Sequence, residues 1–304
     1  MTMPAPGGPA TTLFRVAERQ PLAAFYGWSV NARGTFAIAI PVALDASRIA
    51  IVDLASGSVR WLNSPAPGTT QLAPIWSADG ASVLYGQTNI VQGGGTIEEV
   101  RLDGTTLKTI RPTGVLGGAL LPALDTAEGV LLYTEEFNGS QLFAFDRRSG
   151  RTTALGARAE LQSRLGGWRS TAPRVVAQAI TNIAGPGSGG IVLWDDVSGK
   201  TTTLTSGTVA APSFDPTGRR IVYGAYDTTR TAWHLEIIAT DGTGRTALPD
   251  TENARGAVWT AEGIYFSTAQ DSPHDLRVID PAAQTARTLF HTDDILASHR
   301  MLGG

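Results

Sequence analysis

Ala73-Pro-Ile-Trp-Ser-Ala-Asp-Gly80 (APIWSADG), followed by the apolar run Ser82–Tyr85, decides the fold of this chain. Reading outward, Gln71–Trp76 is a short strand, Ser77–Ala81 a turn carrying Asp-Gly, and Ser82–Tyr85 a second strand. A long loop through Gly95 leads to a third strand, Thr96–Leu102. Asp103-Gly104 then turns the chain into a fourth, Thr106–Ile110. Glycine takes positive φ without strain, so Asp-Gly between two β-like runs signals a hairpin. The four strands read as one antiparallel meander.

The unit recurs. A large apolar residue stands ahead of a turn at Trp28, Trp76, Leu124, Trp168, Phe214 and Trp259, with gaps of 48, 48, 44, 46 and 45 residues. A β-rich period of roughly 40–50 residues is the mark of a propeller blade. The expected fold is all-β, a six-bladed β-propeller of four-stranded antiparallel blades. The blades are expected at residues 20–64, 68–112, 116–156, 160–206, 207–250 and 251–291, so the propeller spans 20–291. Residues 1–19 form an N-terminal arm and 292–304 a C-terminal tail. Thr11–Val16 (TTLFRV) reads as a spare outer strand, which either fastens the ring onto the last blade or lies against another subunit.

The other repeats keep the same grammar. Their first turns include Ala127-Glu-Gly129, Pro216-Thr-Gly218 and Ala261-Glu-Gly263. Their second strands, such as Phe36–Val42, Val130–Tyr133 and Ile221–Tyr223, are apolar on both faces, as expected of strands sandwiched between neighbouring blades. Third strands end in Asp53, Asp103, Asp146, Asp195, Asp241 and Asp280. Aspartate can bond the backbone two residues on and so pin a turn. Fourth strands are rich in Thr and Arg, which suits exposed edges. Pro74, Pro122 and Pro212 sit two residues before the large apolar position, where an inner edge strand tolerates proline.

The 304 residues carry a formal net charge of −3, so no electrostatic footprint for nucleic acid appears. The absence of cysteine removes disulfides, thiolate metal sites and cysteine nucleophiles. No apolar run approaches the roughly 20 residues of a membrane helix, so no membrane span is expected. Met1 to Ala10 lacks the charged and apolar regions of a secretory signal. The chain therefore reads either as cytoplasmic or as a form from which a leader or anchor has been removed.

Ala73–Gly80 and Ala211–Gly218 (APSFDPTG) resemble the WD40-like PD40 repeat of the TolB-type propellers, with Trp28–Gly34 and Trp259–Gly263 as variants. Leu124 and Trp168 mark degenerate copies, and the resemblance covers about residues 20–291. It implies a scaffold, partner-binding disc or gate, and it tilts the expected location towards the periplasm or cell surface. The related peptidases add an α/β-hydrolase domain, for which too few residues remain here.

No Gly-x-Ser-x-Gly elbow, Walker loop, dinucleotide fingerprint or His-Glu-x-x-His occurs in the sequence. His291, Asp293, Asp294 and His299 have ligand chemistry but fall in or beside the expected tail, and a solvated tail is the preferred reading. His234 follows Trp233 in a strand-like run and reads as a surface or inter-blade residue. Gln92–Thr96 is no phosphate cradle, because no helix follows it. Loops between second and third strands open on the same side as the inter-blade connections. They supply the binding candidates Asp45, Asn89, Glu135, Glu136, Asn138, Asn182, Tyr226, Asp227, Arg230 and Asp271. The connections add Arg111, Arg158, Arg164, Glu252, Asn253 and Arg255. Ordinary polar loops are the plain alternative.

The leading expectation is a non-catalytic interaction module that binds a protein partner through this face, with neither cofactor nor metal; a divalent cation in the pore is the one exception entertained. The competing expectation is an enzyme of glycoside hydrolase or lyase type acting on a sugar or small polar substrate. Its carboxylates would come from Glu135, Glu136, Asp227 and Asp271, and glycoside hydrolysis needs two of them about 5–9.5 Å apart. A purely structural subunit, packing through its outer strands or Thr11–Val16, is a third.

Overall fold

Hairpins form where the Asp-Gly and related turns place them in a computed structural model of the chain. It describes residues 28–31, 35–43, 46–53, 56, 58–89, 93–112, 116–137, 140–155, 164–168, 175–180, 189–195, 200–268, 274–282 and 285–292. All described strands pair antiparallel, and the described residues contain no helix. Thr11–Val16 lies outside the described residues.

The first of two compact units holds three sheets. The first sheet is β1 (Trp28–Val30), β2 (Thr35–Ala43), β3 (Ala46–Asp53) and β4 (Val59–Trp61). The second is β5 (Thr69–Trp76), β6 (Ser82–Asn89), β7 (Gly95–Arg101) and β8 (Thr106–Ile110). The third is β9 (Ala119–Asp125), β10 (Val130–Glu136), β11 (Ser140–Asp146) and β12 (Thr152–Ala154). In the second unit, β13 (Arg164–Trp168), β14 (Val175–Ile180), β15 (Gly189–Trp194) and β16 (Thr201–Gly207) make the fourth sheet. The fifth is β17 (Val209–Phe214), β18 (Arg220–Asp227), β19 (Ala232–Ala239) and β20 (Thr246–Ala247). The sixth is β21 (Ala254–Thr260), β22 (Gly263–Thr268), β23 (His274–Asp280) and β24 (Thr285–Thr292). Each sheet follows chain order, which is a simple meander.

Two local expectations shift. β6 runs on to Asn89 instead of ending at Tyr85, because its ladder with β7 continues to the pair Thr88 and Gly95. β24 runs through His291 to Thr292, so His291 is part of a strand, while Asp293, Asp294 and His299 lie outside the described residues.

Turn chemistry explains the regularity. The carboxylate of Asp103 accepts from the Thr105 amide at 2.9 Å, Asp146 from Arg148 at 2.8 Å, and Asp241 from Thr243 at 2.9 Å. Asp280 does the same with Ala282, and Asp53 bonds one residue further along, at Ser56. The neighbouring Gly104 and Gly242 take φ of 90° and 87°, which a side chain would resist. Inner strands share a second device. The pairing slips once in each of β5, β9, β13, β17 and β21, shortly before or at the large apolar residue, an irregularity that bends the edge strand. Ala73 and Ala211, both before proline, take positive φ inside it.

Within each unit the core lies between successive sheets. In the first unit, Ala37, Ile49 and Ile51 pack on Trp76, Val83 and Tyr85; beyond them Leu84 and Ile97 pack on Leu131, Tyr133 and Phe143. In the second, Ile191 and Leu193 meet Phe214 and Tyr223, and Val222 and Leu235 meet Trp259 and Phe266. Each such fully buried side chain contributes about 1.5–3 kcal/mol. Polar clamps tie the same layers. The Ile49 amide donates to the Gln71 side chain at 2.8 Å, and Arg147 bridges Glu99 of β7 and Asp125 of β9.

Candidate functional site: the loop-bearing sheet ends

In the first unit the tip between β6 and β7 meets the connection that leads into β9. The carbonyl oxygen of Gly117 stands 3.7 Å from the points where side chains of Gly93 and Gly94 would begin. Second-to-third tips and inter-sheet connections therefore open on one side here. Asn89 closes the β6 tip by donating its amide to the Gly94 carbonyl at 3.0 Å.

Glu135 and Glu136 are neighbours on β10 and have opposite fates, as the two-residue alternation of a strand requires. Glu135 is fully buried, and its carboxylate accepts from the backbone amides of Leu116 and Gly118. It therefore anchors the connection, and the end it anchors faces outward. Glu136 is exposed, and so are Phe137 at 42% and Leu116 at 59%. Two large apolar side chains are thus partly exposed, on a connection and a strand end that Glu135 ties together. Sequence reasoning passed over both. Phe137 in the otherwise polar run Glu135-Glu-Phe-Asn-Gly-Ser140 was the available signal.

In the second unit the β18–β19 tip is built by Asp227. Its carboxylate accepts from the Thr229 hydroxyl at 2.6 Å and from the Thr229 and Arg230 amides, and these bonds hold it below the usual carboxylate range. Arg230 lies 3.5 Å from it with 80% of its side chain exposed. Tyr226 packs against Trp233 across the hairpin, with ring centroids 5.4 Å apart and tilted by 60°. Arg255, at the bulge of β21, places its guanidinium 4.9 Å over the Trp233 ring. Burial lowers the Arg255 pKa, and the Tyr226 phenol offsets this in part. Trp233 too was missing from the sequence candidates. Arg111, Glu252 and Asn253 are exposed on connections, and Arg164 starts β13. Asp45, Asn138, Asn182, Asp271 and Arg158 lie outside the described residues.

His234 lies in β19 with its Nε2 3.2 Å from Glu236, which also accepts from Tyr223 and Arg245. This is a knot within a sheet and its edge. At the turn-bearing end of the second sheet, a shallow depression of about 430 Å³ is lined by Asp79, Ser82, Glu99 and Asp103 among others. Among the described residues no helix is long and apolar enough to cross a membrane.

No protein-family model matches the chain, and no curated protein matches it. Solved structures do. A TolB from Agrobacterium tumefaciens is 18% identical, with a TM-score of 0.55 over 80% of this chain and 88% of that one. The β-propeller domain of the trilobed protease from Pyrococcus furiosus is 16% identical, with a TM-score of 0.59 over 88% and 84%. An oligogalacturonate lyase in complex with manganese is 14% identical, with a TM-score of 0.55 over 89% and 73%. The chain has the fold of a β-propeller with blades of four antiparallel strands. Its structural neighbours are TolB and other propellers of the PD40 type.

Proposed function

We propose that this chain is a non-catalytic protein-interaction scaffold of the TolB/PD40 propeller type, working outside the cytoplasm in an envelope-associated or larger assembly. The observation that carries the reading is the exposed pair Leu116 and Phe137, set beside Glu136 on loop ends that Glu135 fixes from within. Aromatic and apolar anchors with a polar surround are what protein interfaces use. A loop already fixed loses less freedom on binding, so more of the contact energy appears as affinity. The TolB neighbours support the reading and the outward location, although a shared fold alone does not carry function.

The experiment is gentle affinity purification of the tagged chain from its native host, with mass spectrometry of what accompanies it. A stoichiometric partner retained by the parent and lost from Phe137→Asp and Leu116→Asp supports the scaffold. A chain that emerges alone, or that cleaves a uronate polymer, contradicts it.

A further inference from the structure

Among the described residues, four arginines lie over aromatic rings, and three of them also find an oxygen. Arg48, 4.8 Å over Trp61, points its guanidinium at the Asn63 carbonyl. Arg220, 4.6 Å over Trp259, pairs with Asp215 at 3.4 Å. Arg277, 5.8 Å over Phe266, donates to the Asp250 carbonyl at 2.9 Å. Arg255 departs from this pattern. It lies over Trp233, and among the described residues no carboxylate or carbonyl accepts from its guanidinium.

The surroundings of Arg255 are held in place. The Tyr226 amide donates to the Thr208 carbonyl at 2.9 Å, and the Asn253 amide to the Trp233 carbonyl at 2.7 Å. The Arg255 carbonyl is packed against Gly224 of the preceding sheet. A guanidinium stacked through its face keeps its edge, with paired N–H donors, for a planar anion. Partial removal from water without a counter-charge is a cost that such an anion would recover.

We propose that Arg255, seated on Trp233 beside Tyr226, is a carboxylate anchor that takes an acidic side chain from a segment of a partner protein. Arg230 on the neighbouring tip is paired with Asp227, so on this chain of net charge −3 the single guanidinium seated on Trp233 suits one carboxylate better than a multiply charged phosphate. The two rings offer apolar surface to the residues flanking the acid. This anchor rests on the interaction reading above.

The test is selection of peptides from a random display library on the intact chain, followed by affinity measurements on Arg255→Gln and Arg255→Lys. Selected peptides are expected to share an Asp or Glu and to bind Arg255→Gln about 10- to 100-fold more weakly. Changing that acid to its amide should weaken binding to the parent equally, while Arg255→Lys keeps part of the affinity. Peptides that bind Arg255→Gln as tightly as the parent overturn the anchor and leave the interaction reading standing. If no peptide is selected and free galacturonate binds in an Arg255-dependent way, the carboxylate comes from a sugar acid and the anchor as stated falls. If neither binds, the anchor and the interaction reading fall together.

Discussion

The carbonyl oxygen of Arg255 lies 2.2 Å from the point where a Cβ on Gly224 would stand. One step of the same kind occurs in the first unit, where the Leu120 carbonyl is 1.9 Å from the corresponding point on Gly86. In both places the inner strand of the next sheet crosses the second strand so closely that only glycine fits. Gly224→Ala and Gly86→Ala must push two sheets apart, and overpacking of this kind costs about 1–3 kcal/mol. Urea unfolding measures it, and an unchanged midpoint in either variant would show that the strands do not approach as described.

Arg147 donates to Asp125 at 2.7 Å and also bonds Glu99, whose carboxylates are only 3% and 9% exposed. Replacing the arginine strands two buried anions between sheets. Arg147→Met is expected to lower stability by about 1–3 kcal/mol, and adding Glu99→Gln and Asp125→Asn should restore part of the loss. A negligible loss in the single variant would reduce the trio to an ordinary surface contact.

Burial pushes the Glu236 carboxyl up, but hydrogen bonds from Arg245, Tyr223 and His234 outweigh it and hold the group below its ordinary value of 4.5. A folded-state pKa depressed in this way gives stability that is present above the unfolded value and lost as pH falls through the folded one. Acid unfolding of the parent should therefore be steeper than that of Glu236→Gln, which has no carboxyl to protonate there. Parallel stability curves through the acid limb would remove Glu236 from the account.

Glu135 and Phe137 should separate stability from binding. Glu135→Ala strips the acceptor from two backbone amides and is expected to cost about 2–3 kcal/mol. Phe137→Asp leaves a solvent-facing position polar and should stay within about 0.5 kcal/mol of the parent. Thermal melts beside partner recovery check both. A Phe137→Asp chain that unfolds early would place that ring in the core.

The legible part of this fold is the part written in short-range chemistry. Asp103, Asp146 and Asp241 pin their turns through amides two residues on, a habit of aspartate that needs no tertiary context. Trp76, Phe214 and Trp259 recur at blade spacing because each fills the gap between its sheet and a neighbour within the same unit. Less was legible at the site. Alternation along β10 says that Glu135 and Glu136 face opposite ways, but only the connection through Leu116 and Gly118 decides which is buried. Asp125 stands at the repeat position where Asp215 caps its own turn, yet it reaches the Ala78 amide of the preceding sheet at 3.1 Å. The stack of Tyr226, Trp233 and Arg255 joins two sheets, and no local pattern announces it.

The most direct measurement is site-specific photo-crosslinking in the native host, with the reactive residue placed in turn at Phe137, Arg230 and the exposed outer-strand residue Val59. A discrete crosslinked species of one partner from positions 137 and 230, with none from 59, is the predicted result. Crosslinks from position 59 alone, or no partner from any of the three, would contradict a scaffold that works through its loop ends.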